Sequence, residues 1–401
     1  MFRSNMVKMV LGGLVAAGAA TAVAQDYRVS ASKKGSLLIY SNVEVKWNAA
    51  GAIIQDTFIE MSNDYPASVA VQLYFVNGDA PTATEPGWNW LDNIIQLTQD
   101  EPSYWSAASG LPKGVSPWSA LDPGNPPGRP DPDEPGVRTL RGFIYGWAVD
   151  AQDRQIRWNH LTGKATIVNY ADSSAVEYAA YAFQAYAANH GDRVGYAGHL
   201  KLNGLEYDYG FAQLLIDFFA AGSVALSGGG NVVGVDTDLT LHPVSADLRQ
   251  DGDGPVITKA KFDIWNENEV RFSNTEKCIS CWDQQLLSVY SSLPNHFLLV
   301  NLQTQKGKAR VDGVTSTVVC GEYSINASLL GVAIRQLSFN AGQQKALAGG
   351  NLVGQGTESA DIRYDVITPP GETREAGSNF GAQNSAIERE LTTESIKNLK
   401  K

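Results

Sequence analysis

Four segments decide the fold class: Ser36-Leu-Leu-Ile-Tyr40, Val43-Glu-Val-Lys-Trp47, Asp56-Thr-Phe-Ile-Glu-Met61 and Val69-Ala-Val-Gln-Leu-Tyr-Phe-Val76. Apolar residues alternate with polar ones in them, many are β-branched or aromatic, and Ala49-Ala50-Gly51 and Asn63-Asp64-Tyr65-Pro66 interrupt them. Side chains of an extended chain point alternately to opposite faces, so these segments predict strands joined by short turns, the start of a meander.

Working outward, the apolar runs 140–149 and 156–158 flank the polar Asp150-Ala-Gln-Asp153 and predict a hairpin, with 165–170 and 176–183 continuing the sheet. The segment 80–136 breaks this pattern and ends in Asp122-Pro-Gly-Asn-Pro-Pro-Gly-Arg-Pro-Asp-Pro-Asp-Glu-Pro-Gly136. Proline has no N–H to donate, so a long irregular loop is expected there. Phe211, Leu214, Leu215, Phe218 and Phe219 recur at spacings of three and four, with Gly222 as a stop, and predict one short helix.

The second half repeats the pattern of the first. Strand pairs at 56–63 and 68–78 precede 142–150 and 155–169. Likewise 258–266 and 269–272 precede 297–303 and 306–314, and small-residue strands at 176–183 and 330–337 close each half. A mainly β chain is therefore expected, with two tandem antiparallel β-sandwich domains of immunoglobulin-like type. They would occupy 25–230, carrying the loop 80–136, and 231–368, with the boundary near Gly228-Gly229-Gly230. One large sandwich with insertions is the alternative. From Pro369 the composition turns to Gly, Glu, Thr, Ser and Asn, which predicts a flexible tail over 369–401 or a loosely held helix over 385–399.

Residues 1–24 predict a cleavable signal peptide. Arg3 and Lys8 form a basic flank, the apolar run 9–20 is too short to span a bilayer, and Ala22-Val23-Ala24 offers small residues for cleavage before Gln25. No Cys follows that run, which excludes a lipoprotein, and no later apolar run is long enough to be a transmembrane segment. The expected location is exported, periplasmic or extracellular. A net charge of -11 without a basic cluster excludes a nucleic-acid partner.

Several stretches carry a resemblance: Lys34-Gly-Ser-Leu-Leu-Ile-Tyr40, Gly142-Phe-Ile-Tyr-Gly-Trp-Ala-Val-Asp150, Arg157-Trp-Asn-His-Leu-Thr-Gly163, Ala246-Asp-Leu-Arg-Gln-Asp251, Phe262-Asp-Ile-Trp-Asn-Glu-Asn-Glu269 and Cys278-Ile-Ser-Cys-Trp282. Together they resemble a group of uncharacterised exported bacterial proteins. The resemblance implies export and a β-rich fold, and carries over no activity.

Three constellations are chemically informative. The first is the cysteines, Cys278, Cys281 and Cys320. In an oxidising compartment, Cys278 or Cys281 is expected to bridge to Cys320, and closing a loop of about 40 residues stabilises by roughly 4 kcal/mol in the chain-entropy picture. The alternatives are thiol exchange at the CxxC and a zinc site made of three thiolates with His296. Covalent haem is excluded, because Trp282 stands where that motif needs His.

The second is two groups of aspartates, Asp236 with Asp238, and Asp247 with Asp251 and Asp253, placed in turn-like stretches. Carboxylates beside glycines suit calcium, the metal cofactor these aspartates would take. The third is Trp88, Trp90, Tyr104, Trp105 and Trp118 in the irregular segment. They would either anchor the loop or form a flat platform for a sugar ring.

Catalytic signatures are missing: there is no Gly-x-Ser-x-Gly and no His-Glu-x-x-His, and His160 and His199 are the histidines nearest acidic or hydroxyl residues. The expected function is non-catalytic binding or structure at the cell surface or in the periplasm, with a glycan or a cell-surface protein as partner. An exported carbohydrate-active hydrolase is the alternative, followed by a thiol-redox or metal-binding role of the CxxC.

Overall fold

The computed structural model describes residues 34–354, apart from 196–199, 212, 226–231, 245–247, 249–256, 291–293, 315–319, 321–327 and 340–343. The predicted leader 1–24, the tail 369–401, the boundary glycines 228–230, His199, Asp247, Asp251 and Asp253 lie outside the described residues.

The chain is mainly β, arranged in three antiparallel sheets. The first half supplies β1 (Leu37–Trp47), β2 (Ile53–Asn63), β3 (Val69–Asn77), β4 (Trp90–Leu97), β5 (Pro102–Ser106), β6 (Arg129–Pro130), β7 (Arg138–Val149), β8 (Leu161–Asn169), β9 (Ser174–Ala179) and β10 (Tyr181–Phe183). Their main path is β4-β3-β7-β1-β2-β8-β9. β1 meets β2 only near the hairpin, at Lys46↔Gln55 and Trp47↔Ile53, after which β5 takes over that edge of β2. The sheet therefore folds over at the hairpin. β2, β8 and β9 come to lie across from β1, β3 and β7, and Leu73, Phe75 and Ile144 pack with Ile59, Met61 and Ala165 in the space between.

The second half supplies β11 (Gln213–Phe219), β12 (Gly222–Ala225), β13 (Val232–Pro243), β14 (Ile257–Asn266), β15 (Arg271–Ser280), β16 (Asp283–Leu286), the single helical turn α1 (Leu299–Leu302), β17 (Lys306–Val314), β18 (Leu329–Phe339), β19 (Gln344–Asn351) and β20 (Val353–Gly354). One sheet runs β15-β14-β17-β11-β20, and the other runs β12-β13-β18-β19 with β16 on β13. Because β11 and β12 pair with β17 and β13, the change of sheet comes upstream of the glycine run.

The cores do not separate by halves. Tyr74 and Val76 of β3, and Phe143, Tyr145 and Trp147 of β7, face away from the first core and pack with Ile216, Leu239 and Phe262. The layer of β1, β3 and β7 is thus buried on both faces, which is why Leu37–Tyr40, Leu73–Val76 and Phe143–Tyr145 carry apolar residues at successive positions where a one-sided strand would alternate. Three polar side chains brought into this seam reach backbone carbonyls. Tyr145 Oη donates to the Leu248 carbonyl at 2.8 Å, Tyr181 Oη to the Gly331 carbonyl at 2.7 Å, and Trp282 Nε1 to the Ser41 carbonyl at 2.9 Å.

Three local expectations are corrected. Residues 213–219 form strand β11 rather than a helix: Leu214, Ile216 and Phe218 point into the core with period two. Leu215 and Phe219 mimicked a helical stripe because they are apolar on the outer face. The segment 297–303 holds α1 instead of a strand. The loop 80–136 contributes β4, β5 and β6, which pair with β3, β2 and β7 respectively.

Candidate functional site

The five aromatic residues of 80–136 divide by strand geometry. In β5, Tyr104 faces solvent at 53% exposure while its neighbour Trp105 is fully buried, since successive side chains alternate. Trp118, in the 3-10 turn Trp118–Leu121, is fully buried beside it in the first core. Trp88 is half-buried against the second core. Trp105 and Trp118 therefore anchor the loop and cannot offer a face to a ligand, which corrects their place in the expected platform.

Trp90 differs from these. It lies on β4, the outermost strand on this path of the first sheet, and is 55% exposed. Its ring stacks on Tyr74 with centroids 4.8 Å apart and planes within 5°. The register pairs Val76 with Trp90 and Tyr74 with Asp92, so Trp90 and Tyr74 are diagonal neighbours within reach of one another. Sequence reading missed Tyr74, because only strand pairing places it under Trp90. No ring contact joins Trp90 to Tyr104 among the described residues.

No family model matches the chain. No curated protein does either. Among solved structures, a serine-rich repeat protein from Streptococcus agalactiae aligns at 7% identity over 82% of this chain and 98% of its own, with a TM-score of 0.13. That likeness is too slight to carry any argument about fold or function.

The cysteines resolve into one bridge. Cys278 on β15 bonds Cys320, and Cys281 is a buried free thiol. Cys281 has positive φ, and burial, aided by the Asp79 charge, pushes its thiol up to about 12. A disulfide spanning the CxxC to Cys320 leaves no dithiol for exchange and no trio of thiolates for zinc, so both alternatives are corrected. His296 lies apart from the cysteines and stacks on Phe272.

Asp236 and Asp238 sit within strand β13, not in a turn. Asp236 accepts from the backbone N–H groups of Thr237 and Ser288, and Asp238 accepts from Gln284 Nε2 at 2.6 Å. Among the described residues no group of three or more His, Cys, Asp or Glu is placed to hold a metal. The expected Asp236–Asp238 calcium turn is therefore replaced by two strand residues with separate partners.

His160 gains a partner that sequence distance hid. Its Nδ1 lies 3.0 Å from Asp64, whose carboxylate also pairs with Lys34, and Tyr65 stacks on His190 at 3.9 Å beside Trp158. The turn at 63–66 thus assembles an aromatic and histidine cluster with one carboxylate shared between Lys34 and His160.

Proposed function

We propose that this is an exported, non-catalytic binding protein whose ligand is a glycan that docks on the Trp90 face of β4. The observation that carries this reading is the Trp90 ring itself. It is braced from behind by Tyr74 and open to solvent, and sugar rings stack on flat, held aromatic faces. Tyr104 supplies a second exposed aromatic on β5. The Cys278–Cys320 bridge supports a location outside the reducing cytosol, the periplasm or the cell exterior. No helix among the described residues is long and apolar enough to cross a membrane.

A glycan array followed by affinity electrophoresis on the matched polysaccharide tests the reading. Binding by the wild type that is lost in Trp90→Ala and retained in a surface control supports it. Binding to a protein with no glycan response would replace the ligand class, and release of reducing sugar would replace binding by hydrolysis.

A further inference from the structure

The seam between the folded-over first sheet and the β13 sheet holds a half-open cavity of about 80 Å³ that the glycan reading does not use. One water needs roughly 10–15 Å³ on a comparable measure, so the space admits several heavy atoms.

One side of this cavity is rich in oxygen. Glu44 of β1 and Asp238 of β13 both line it, as do the side chains of Asn42 and Gln284. Gln55 Nε2 donates to Glu44 at 2.6 Å and Gln284 Nε2 to Asp238 at 2.6 Å, which leaves Gln284 Oε1 without a partner. Asn42 is fully buried, and neither atom of its side-chain amide has a partner. Its backbone is firmly held, because its N–H donates to Tyr178 Oη at 3.0 Å and its carbonyl accepts from the same hydroxyl. A register shift interrupts the β1–β7 ladder between Tyr40 and Val43, and such bulges re-aim side chains next to functional sites.

The other side is aliphatic, formed by Ile167, Val176, Ile334 and Leu347. Asp172 and Lys345, which also line the cavity, pair with each other at 3.3 Å. Two carboxylates and two amide groups thus line a pocket that also carries an aliphatic patch, and buried acceptors in this number call for a donor-rich cation.

We propose that this cavity binds a small primary alkylammonium group. Its N–H donors are shared by Asp238, Glu44 and the Asn42 and Gln284 side-chain oxygens, and its alkyl part lies on the Ile334 and Leu347 wall. A bare metal ion would leave the aliphatic wall without a role. The ligand also needs Asp238 ionised. Burial, with the Glu44 charge, raises its pKa to about 7, while Gln284, Arg141 of β7 and Lys46 of β1 act in the opposite direction.

Calorimetry of the full chain with n-butylammonium, n-butanol and calcium chloride tests the proposal. The expected result is saturable binding of n-butylammonium that tightens from pH 6 to pH 8. Charged hydrogen bonds predict a loss of about tenfold or more in Asp238→Asn and Asn42→Ala. Circular dichroism and melting temperature establish that each variant is folded. Trp90→Ala should leave amine binding unchanged, which separates this site from the glycan face. Equal affinity for n-butanol, no saturable heat with the amine, or insensitivity to Asp238→Asn in a folded variant each overturns it. So does stabilisation by calcium without any by the amine.

Discussion

Neighbouring residues of one strand can differ entirely in role, and the tryptophans are the clearest instance. Trp105 is wholly enclosed, so Trp105→Ala should destabilise by about 3–5 kcal/mol in a urea titration. Trp90→Ala, at a half-exposed edge position, should cost less than about 1.5 kcal/mol while removing glycan retention. Cys281 offers a second contrast. Burial keeps its thiol protonated with a pKa near 12, so iodoacetamide should leave it unmodified in the native protein and alkylate it once urea unfolds the chain. Rapid labelling of native Cys281, read by mass spectrometry, would contradict its enclosure.

Among the elements, β11 shows how a strand passes for a helix. Its inward residues Leu214, Ile216 and Phe218 have period two, but Leu215 and Phe219 are apolar too, and the combined set fits spacings of three and four. Seven register pairs with β17 decide for the strand. Phe219 on the outer face carries the Arg335 guanidinium 5.8 Å from its ring centroid, which gives that apolar side chain a partner. The bridge from β15 to Cys320 closes a loop with a sequence separation of 42. Adding reductant, or replacing Cys320 by Ser, should lower unfolding stability by roughly 4 kcal/mol on the loop-entropy argument, read as a shift of the denaturation midpoint.

Over the whole molecule, the three sheets share their cores, and the seam that joins them has an acid sensitivity. His242 on β13 is fully buried, stacked on Phe143 at 4.6 Å, with Nε2 3.0 Å from Ser41 Oγ. Burial holds its pKa down at about 3, against 6.5 for a free histidine. Between those values the unfolded chain takes up a proton that the native one does not, so stability falls as pH drops from 6.5 toward 3. Denaturation midpoints at pH 7, 5 and 4 should decline less steeply in His242→Leu than in the wild type. An identical decline would mean that His242 is protonated in the native seam.

The sequence by itself determined that the chain is mainly β and where most strands of the first half lie, and it made a bridge from Cys320 to the CxxC region the first expectation for the cysteines. Alternation of side chains, turn residues and redox chemistry are local or compositional, so they are legible without a fold. Tertiary structure alone decided that β1, β3 and β7 are buried on both faces, that Cys278 rather than Cys281 takes the bridge, and which aromatics face solvent. It also brought Asn42 and Glu44 to Asp238, nearly two hundred positions away. Those outcomes depend on which strand edges pair and which faces meet, long-range choices that no local period records.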